Sequence, residues 1–253
     1  MNVAPKKRLG QHFLVDENVL RVIARLAGLE PDDVVLEIGP GLGVLTRYLA
    51  ERVAHVHAVE IDRRLEPGLR DIPRIDLHWG DALALDLADL DPPASKLVSN
   101  LPYNVATPIV VESLDRLPSV EAWCVMVQRE VADRFFALPR TKAYGAVSVL
   151  VQIAAVRTGF HAVSRHVFRP RPNVDSALVA FRRVAPGIDP EVKRVVEAAF
   201  AHRRKTLANS LALTGRAPAP DAAAALAAIG RDSAARAEEL APEEFVALAA
   251  ALP

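Results

Sequence analysis

Short apolar runs alternate with helix-like stretches along most of the chain. Val19, Leu20, Ile23 and Leu26 form one helical stripe, and Asp16 stands where its N-cap belongs. DVVLEIG (33–39), AHVHAVEI, IDLHWGD, KLVSN and EAWCVMVQ predict strands. Between them, VLTRYLAERV, RRLEPGLRDI, VATPIVVESLDRL and REVADRFFAL predict helices, the second ended or interrupted near Pro67. This alternation predicts an α/β fold, a Rossmann-like, mostly parallel sheet covered on both faces, with strands apolar on both sides. GAVSVLVQIA is helix-like; AVRTGFHAV and VDSALVAFRRV predict an antiparallel pair closing the sheet. From Ala185 the pattern turns helical and Ala-rich, beginning with PEVKRVVEAAFAHRRKTLANSLAL. The expected division is therefore a sheet domain over 1–185 and a small all-α domain over 186–253.

Composition adds little. The 253 residues carry 31 basic and 31 acidic side chains, so bulk charge points to no partner. Three short stretches are nonetheless basic: Lys6-Lys7-Arg8, 165–171 and His202-Arg203-Arg204-Lys205. The single Cys124 lies in an apolar run, which predicts a buried, inert thiol and neither a disulfide nor a metal cluster. No run approaches the roughly 18 apolar residues of a membrane span, and the N-terminus lacks a signal-peptide core. The expectation is a cytoplasmic protein with no membrane partner.

VLEIGPGLGVLT places Gly39, Gly41 and Gly43 between the first strand of the alternating pattern and a helix. Glycine allows a sharp turn and close ligand approach. The G-x-G-x-G spacing is not that of a pyrophosphate-binding turn. Glu60, about twenty residues on, stands where an acid accepts from ribose hydroxyls. Asp81, in HWGDAL, can accept from an adenine amine. These residues sit at the carboxyl ends of successive strands and describe an adenosine pocket, which suits S-adenosylmethionine better than NAD. On the same rim, VSNLPYNVATP offers the Asn100 amide oxygen, the Leu101 carbonyl, a turn stiffened by Pro102 and the flat ring of Tyr103. Two acceptors and a stacking face suit a planar base bearing an exocyclic amine.

The ordered set KKRLGQHFLVDENV, EIGPGLGVLT, VEID, GDAL, SNLPYNVATP, MVQREVADRF, KAYGAVSVLVQ, VFRPRPNVDSALV and AFAHRRKTLANSL resembles the small-subunit ribosomal RNA adenine N6,N6-dimethyltransferase family, over nearly the whole chain. The resemblance implies transfer of methyl groups from S-adenosylmethionine to two adjacent adenosines near the 3′ end of 16S rRNA, without a metal. It implies a monomer working on the small ribosomal subunit during its maturation. It makes residues 1–185 the methyltransferase domain and 186–253 a ribosome-contacting one. His12, Leu14, Gly39, Gly41, Glu60, Asp81, Ala82 and Asn100 would then contact the methyl donor. Asn100, Leu101, Tyr103 and Phe168 would act on the target base, with Phe168 completing a sandwich with Tyr103. Arg165, Arg169, Arg171, Arg203, Arg204 and Lys205 would meet RNA phosphates. Asn173 and Ala208 stand where the family commonly has lysine and arginine. From residue chemistry alone, the segment holding His12 reads as a basic tail. Alternatives are an Erm-type large-subunit rRNA methyltransferase, an NAD-dependent oxidoreductase and a non-catalytic ribosome-assembly factor.

Overall fold

The computed structural model describes residues 11–253. Its contacts divide the chain into two compact units. One holds the described residues up to Ala132 together with Val156–Arg183. The other holds Asp133–Ala155 and Val184–Pro253. Lys6, Lys7 and Arg8 lie outside the described residues.

The first unit is built on a seven-stranded sheet. In chain order its strands are β2 (Val34–Ile38), β3 (His55–Glu60), β4 (Ile75–Trp79), β5 (Lys96–Asn100), β6 (Ala122–Gln128), β7 (Ala155–Val163) and β9 (Ser176–Arg183). Across the sheet they run β4-β3-β2-β5-β6-β9-β7. The first five are parallel, and β9 lies antiparallel to β6 with Trp123 opposite Phe181. Those two rings stack at 5.2 Å, and the Trp123 indole N–H donates to Ser113 Oγ. The strands expected to be apolar on both faces are so only inside the sheet. At the edges, β4 and β7 are mostly half-buried or exposed along their length. Cys124 is fully buried on β6, and burial pushes its thiol up to about 12.

Helix α1 (Glu17–Ala27) starts at Asp16, whose carboxylate accepts from the N–H groups of Asn18 and Val19. Gly28 ends it at φ 55°. Helix α2 (Val44–Ala50) follows β2, α4 (Ala106–Arg116) follows β5 and α5 (Arg129–Phe135) follows β6. The helix expected to end near Pro67 is a 3-10 turn, Arg63–Leu65, and a short α3 (Glu66–Leu69) with Pro67 in its first turn. There proline's missing N–H costs nothing, so it opens the helix rather than stopping it. A further pair of strands was not expected. β1 (Phe13–Leu14) pairs antiparallel with β8 (Phe168–Arg169), outside the main sheet.

The second unit gathers α6 (Ala146–Ala154), α7 (Pro190–Ala201), α8 (Leu207–Leu213), α9 (Ala219–Ala228) and α10 (Pro242–Ala251). Because α6 is nearly all apolar, it needs cover, and α7 and α10 supply it. That is why Asp133–Ala155 groups with the C-terminal helices, beside the segment that the sequence alone assigns to them. Tyr144, fully buried, donates its hydroxyl to the Leu240 carbonyl at 2.7 Å. The long segment read as helical breaks at 202–206, where Thr206 caps α8 through the Asn209 N–H. The basic run therefore lies in a turn.

Glu37 is an anomaly within β2. It is 1% exposed on a central strand, and its Oε2 has no hydrogen-bond partner. Burial pushes its carboxyl up to about 8, and the nearby Glu60 adds to the shift. The Thr46 hydroxyl beside it offsets part of this without reaching strict hydrogen-bond geometry. The unfolded chain titrates this group at its ordinary 4.5. Between the two values the folded protein holds the extra proton, so stability falls as pH rises from about 5 to 8. Glu37→Gln removes that titration. Urea unfolding across this range should show a flatter profile for the variant, the gap reaching a few kcal/mol, on the order expected from linkage. Parallel profiles would show that Glu37 is already ionised in the folded state.

Candidate active site

The glycine turn after β2 is held by its own geometry. Gly39, Gly41 and Gly43 have φ of 78°, 60° and 75°, a region that disfavours side chains. A Cβ on Gly41 would come within 2.9 Å of the Phe13 ring. The turn is tied to the end of β3. The Gly39 N–H donates to the Val59 carbonyl at 2.8 Å. Glu60 accepts from Gly41 N–H through Oε2 (3.2 Å), and from Ile61 and Asp62 N–H through Oε1 (2.9 and 2.8 Å). Burial raises its pKa, and those three donors pull the other way. A carboxylate has about four acceptor positions, so Glu60 retains room for a ligand hydroxyl. Asp81 lies just beyond β4 and caps a turn through the Leu83 N–H at 3.0 Å.

Asn100 ends β5 on the same rim. Its Nδ2 donates to the His12 carbonyl at 3.0 Å. An amide with its nitrogen on a carbonyl must turn its oxygen away. Asn100 Oδ1 is buried and has no partner. In the next turn, Leu101 N–H donates to the Met126 carbonyl. The Tyr103 hydroxyl shares a hydrogen bond with Ser176 Oγ, and burial raises its pKa. The phenol is thus neutral and its ring is fixed.

The segment carrying His12 is zipped to the loop beyond β7. His12 Nδ1 is 2.8 Å from the Pro170 carbonyl, Phe13 faces Arg169, Leu14 faces Phe168, and Val15 N–H donates to Val167. The basic-tail reading is thereby corrected for the described part: residues 11–15 are built into the rim.

A cavity of about 240 Å³ lies between these elements. His12, Leu14, Gly39, Gly41, Glu60, Asp81, Ala82, Asn100, Leu101 and Tyr103 all line it. Every methyl-donor residue expected from sequence is brought together here. Phe168 is not. Its ring is 1% exposed and packs in the core with Phe13, Leu14 and Val19. The cross-strand register opposite Leu14 turns it inward, so the expected sandwich with Tyr103 is not formed. The ring that faces Tyr103 is His12, with centroids 5.2 Å apart and planes inclined by 32°. Glu37 also lines the cavity and was missed. Its signal was an acid inside an otherwise apolar strand.

The cationic residues separate into two classes. Arg165 is turned back onto its own loop, donating to the Asn173 carbonyl at 2.9 Å and pairing with Asp175. Arg203 donates to the Tyr144 and Lys142 carbonyls and pairs with Glu238. Arg169, Arg171, Arg204 and Lys205 are exposed.

Residues 2–252 match the family model described as ribosomal RNA adenine dimethylase. The small-subunit rRNA methyltransferase A of Rubrobacter xylanophilus is 50% identical over 96% of this chain and 94% of its own length. That of Leifsonia xyli is 46% identical over 99% and 93%. Among solved structures, a Plasmodium falciparum dimethyladenosine transferase superposes with a TM-score of 0.77, covering 94% of this chain and 96% of that one, at 22% identity. The 23S rRNA methyltransferase ErmE gives 0.64 at 31% identity over 95% and 99%. With a buried acceptor at the strand ends and a matching family model along its length, the chain belongs to the ribosomal RNA adenine dimethylase family.

Proposed function

We propose that this protein transfers methyl groups from S-adenosylmethionine to N6 of two adjacent adenosines near the 3′ end of 16S rRNA, giving N6,N6-dimethyladenosine. The observation that carries the chemistry is the unpartnered, buried Asn100 Oδ1. An orphaned acceptor in a closed site costs about 1–3 kcal/mol unless a ligand satisfies it. An adenine amine supplies the missing donor. The relatives at 46% and 50% identity favour the small subunit over the large-subunit substrate of ErmE, at 31%.

The site suits an adenosyl group. Glu60 keeps acceptor capacity for ribose hydroxyls, Asp81 faces the same cavity, and the glycine turn leaves the wall without side chains. S-adenosylmethionine, when bound, supplies an already activated methyl group. The protein's part is placement. Asn100 Oδ1 and the Leu101 carbonyl accept the two amine hydrogens and direct the nitrogen lone pair out of the ring plane. Tyr103 offers a face to the base, and such stacking is worth roughly 1–3 kcal/mol. The target must leave its own stack to arrive there. No side chain need remove a proton first, because the excess proton leaves after transfer. The exposed Arg169, Arg171, Arg204 and Lys205 meet phosphates, and residues 186–253 contribute ribosome contact. The protein works as a monomer in the cytoplasm; among the described residues no helix is long and apolar enough to cross a membrane.

Undermethylated small subunits incubated with labelled S-adenosylmethionine should acquire label on two adjacent adenosines of 16S rRNA; dominant label in the large subunit would overturn the proposal. Asn100→Ala should lower kcat about 100-fold or more, with circular dichroism unchanged. Turnover near wild type would remove Asn100 from its role. Arg204→Ala with Lys205→Ala should weaken subunit binding and reduce the salt slope by about 2, leaving melting unchanged. Arg203→Ala should instead lower the melting temperature, because its contacts are internal.

A further inference from the structure

We propose that His55, His57, Asp76 and His78 form a binding site for a divalent transition-metal ion of the zinc type, at the β4 edge of the sheet. The strands are parallel and His57 lies opposite Asp76, so alternation places all four side chains on one face. One donor atom each from His55, His57 and Asp76 lies within 4.8 Å of the others. His55 Nε2 is 3.1 Å from Asp76 Oδ2, His57 Nδ1 is 3.9 Å from the same oxygen, and His57 Nδ1 is 3.1 Å from His78 Nε2. A tetrahedral ion with bonds of about 2.0–2.1 Å spaces its donors about 3.3 Å apart. The donors of His55, His57 and Asp76 sit near that spacing, and His78, in contact with His57, must swing its ring inward to become the fourth.

The donor chemistry also fits. Three imidazoles and one carboxylate are borderline ligands suited to zinc. His57 Nε2 is 2.8 Å from the Pro92 carbonyl, to which it donates. That contact fixes the tautomer and leaves the Nδ1 lone pair facing the cluster, the outer hydrogen bond typical of a ligating histidine. The His57 side chain is 1% exposed, His55 20% and Asp76 53%, so the site has a closed floor and an open side. None of the four lines the active-site cavity. The ion would staple the edge strand β4 to β3, upstream of Asp81 and Glu60. Without it, the same contacts are ordinary hydrogen bonds between His78 and His57 and between His55 and Asp76. Counting cysteines pointed to no metal cluster, and this site uses none.

Untagged, EDTA-treated protein titrated with Zn²⁺ by calorimetry should bind one equivalent with Kd about 1 μM or tighter. Co²⁺ should give the intense visible bands of a tetrahedral site. Saturating Zn²⁺ should raise the melting temperature by about 5 °C. His55→Ala with Asp76→Asn should weaken binding at least about 10-fold and abolish the shift. His78→Gln, which keeps a polar group, provides a second variant and should also weaken binding. No stoichiometric uptake by the wild type, or equal uptake by both variants, would overturn the site. Methylation activity is not the readout, so the result stands apart from the proposed reaction.

Discussion

The candidate active site depends on one hydrogen bond, from Asn100 Nδ2 to the main-chain carbonyl of His12. An amide can point either end into a cavity, and only the oxygen is useful to an amine. The His12 carbonyl settles the choice by taking the nitrogen. That carbonyl is in place because residues 12–15 are zipped to 167–170 by two strand pairs and two flanking contacts. The same zip fixes the imidazole opposite Tyr103 and the Phe13 ring against Gly41. One short antiparallel ladder thus serves both the acceptor turn and the glycine turn.

The site is held at a cost to stability. Glu37 and Glu60 are both buried near the glycine turn, and burial raises the pKa of each. Glu60 recovers part of the cost through three backbone donors, whereas Glu37 Oε2 has none. Asn100 Oδ1 adds a second unsatisfied oxygen, and its residue lines the cavity. Such groups are tolerated where binding supplies what folding leaves undone. Their concentration at the ends of β2, β3 and β5 singles out this rim as the candidate site more sharply than the cavity's size does.

Charge at the surface needs the same discrimination. Arg203 and Arg204 are neighbours in sequence and both exposed, yet Arg203 also fastens main-chain carbonyls in the helical unit. A basic run that breaks a helix between α7 and α8 therefore combines a structural tie with free cations. The Arg165 loop repeats the pattern, with Arg165 held by Asn173 and Asp175 and Arg169 and Arg171 outside.

Short apolar runs, the capping Asp16 and the glycines of the turn are local properties, so the sequence by itself determined the strands, most helices and the positions of Gly39, Glu60, Asp81 and Asn100 on one rim. The helix start at Pro67 and the helix break at 202–206 were less legible, because caps and packing decide them rather than periodicity. Only the tertiary structure decided the rest. The pairing of Leu14 with Phe168 spans more than 150 residues, and it buried a ring expected in the site while bringing His12 to Tyr103. Likewise, His55 and His57 meet Asp76 and His78 through the register of two strands. Local chemistry can say what a residue is able to do. Which partner it meets is set by non-local pairing, and no pattern of nearby residues encodes that.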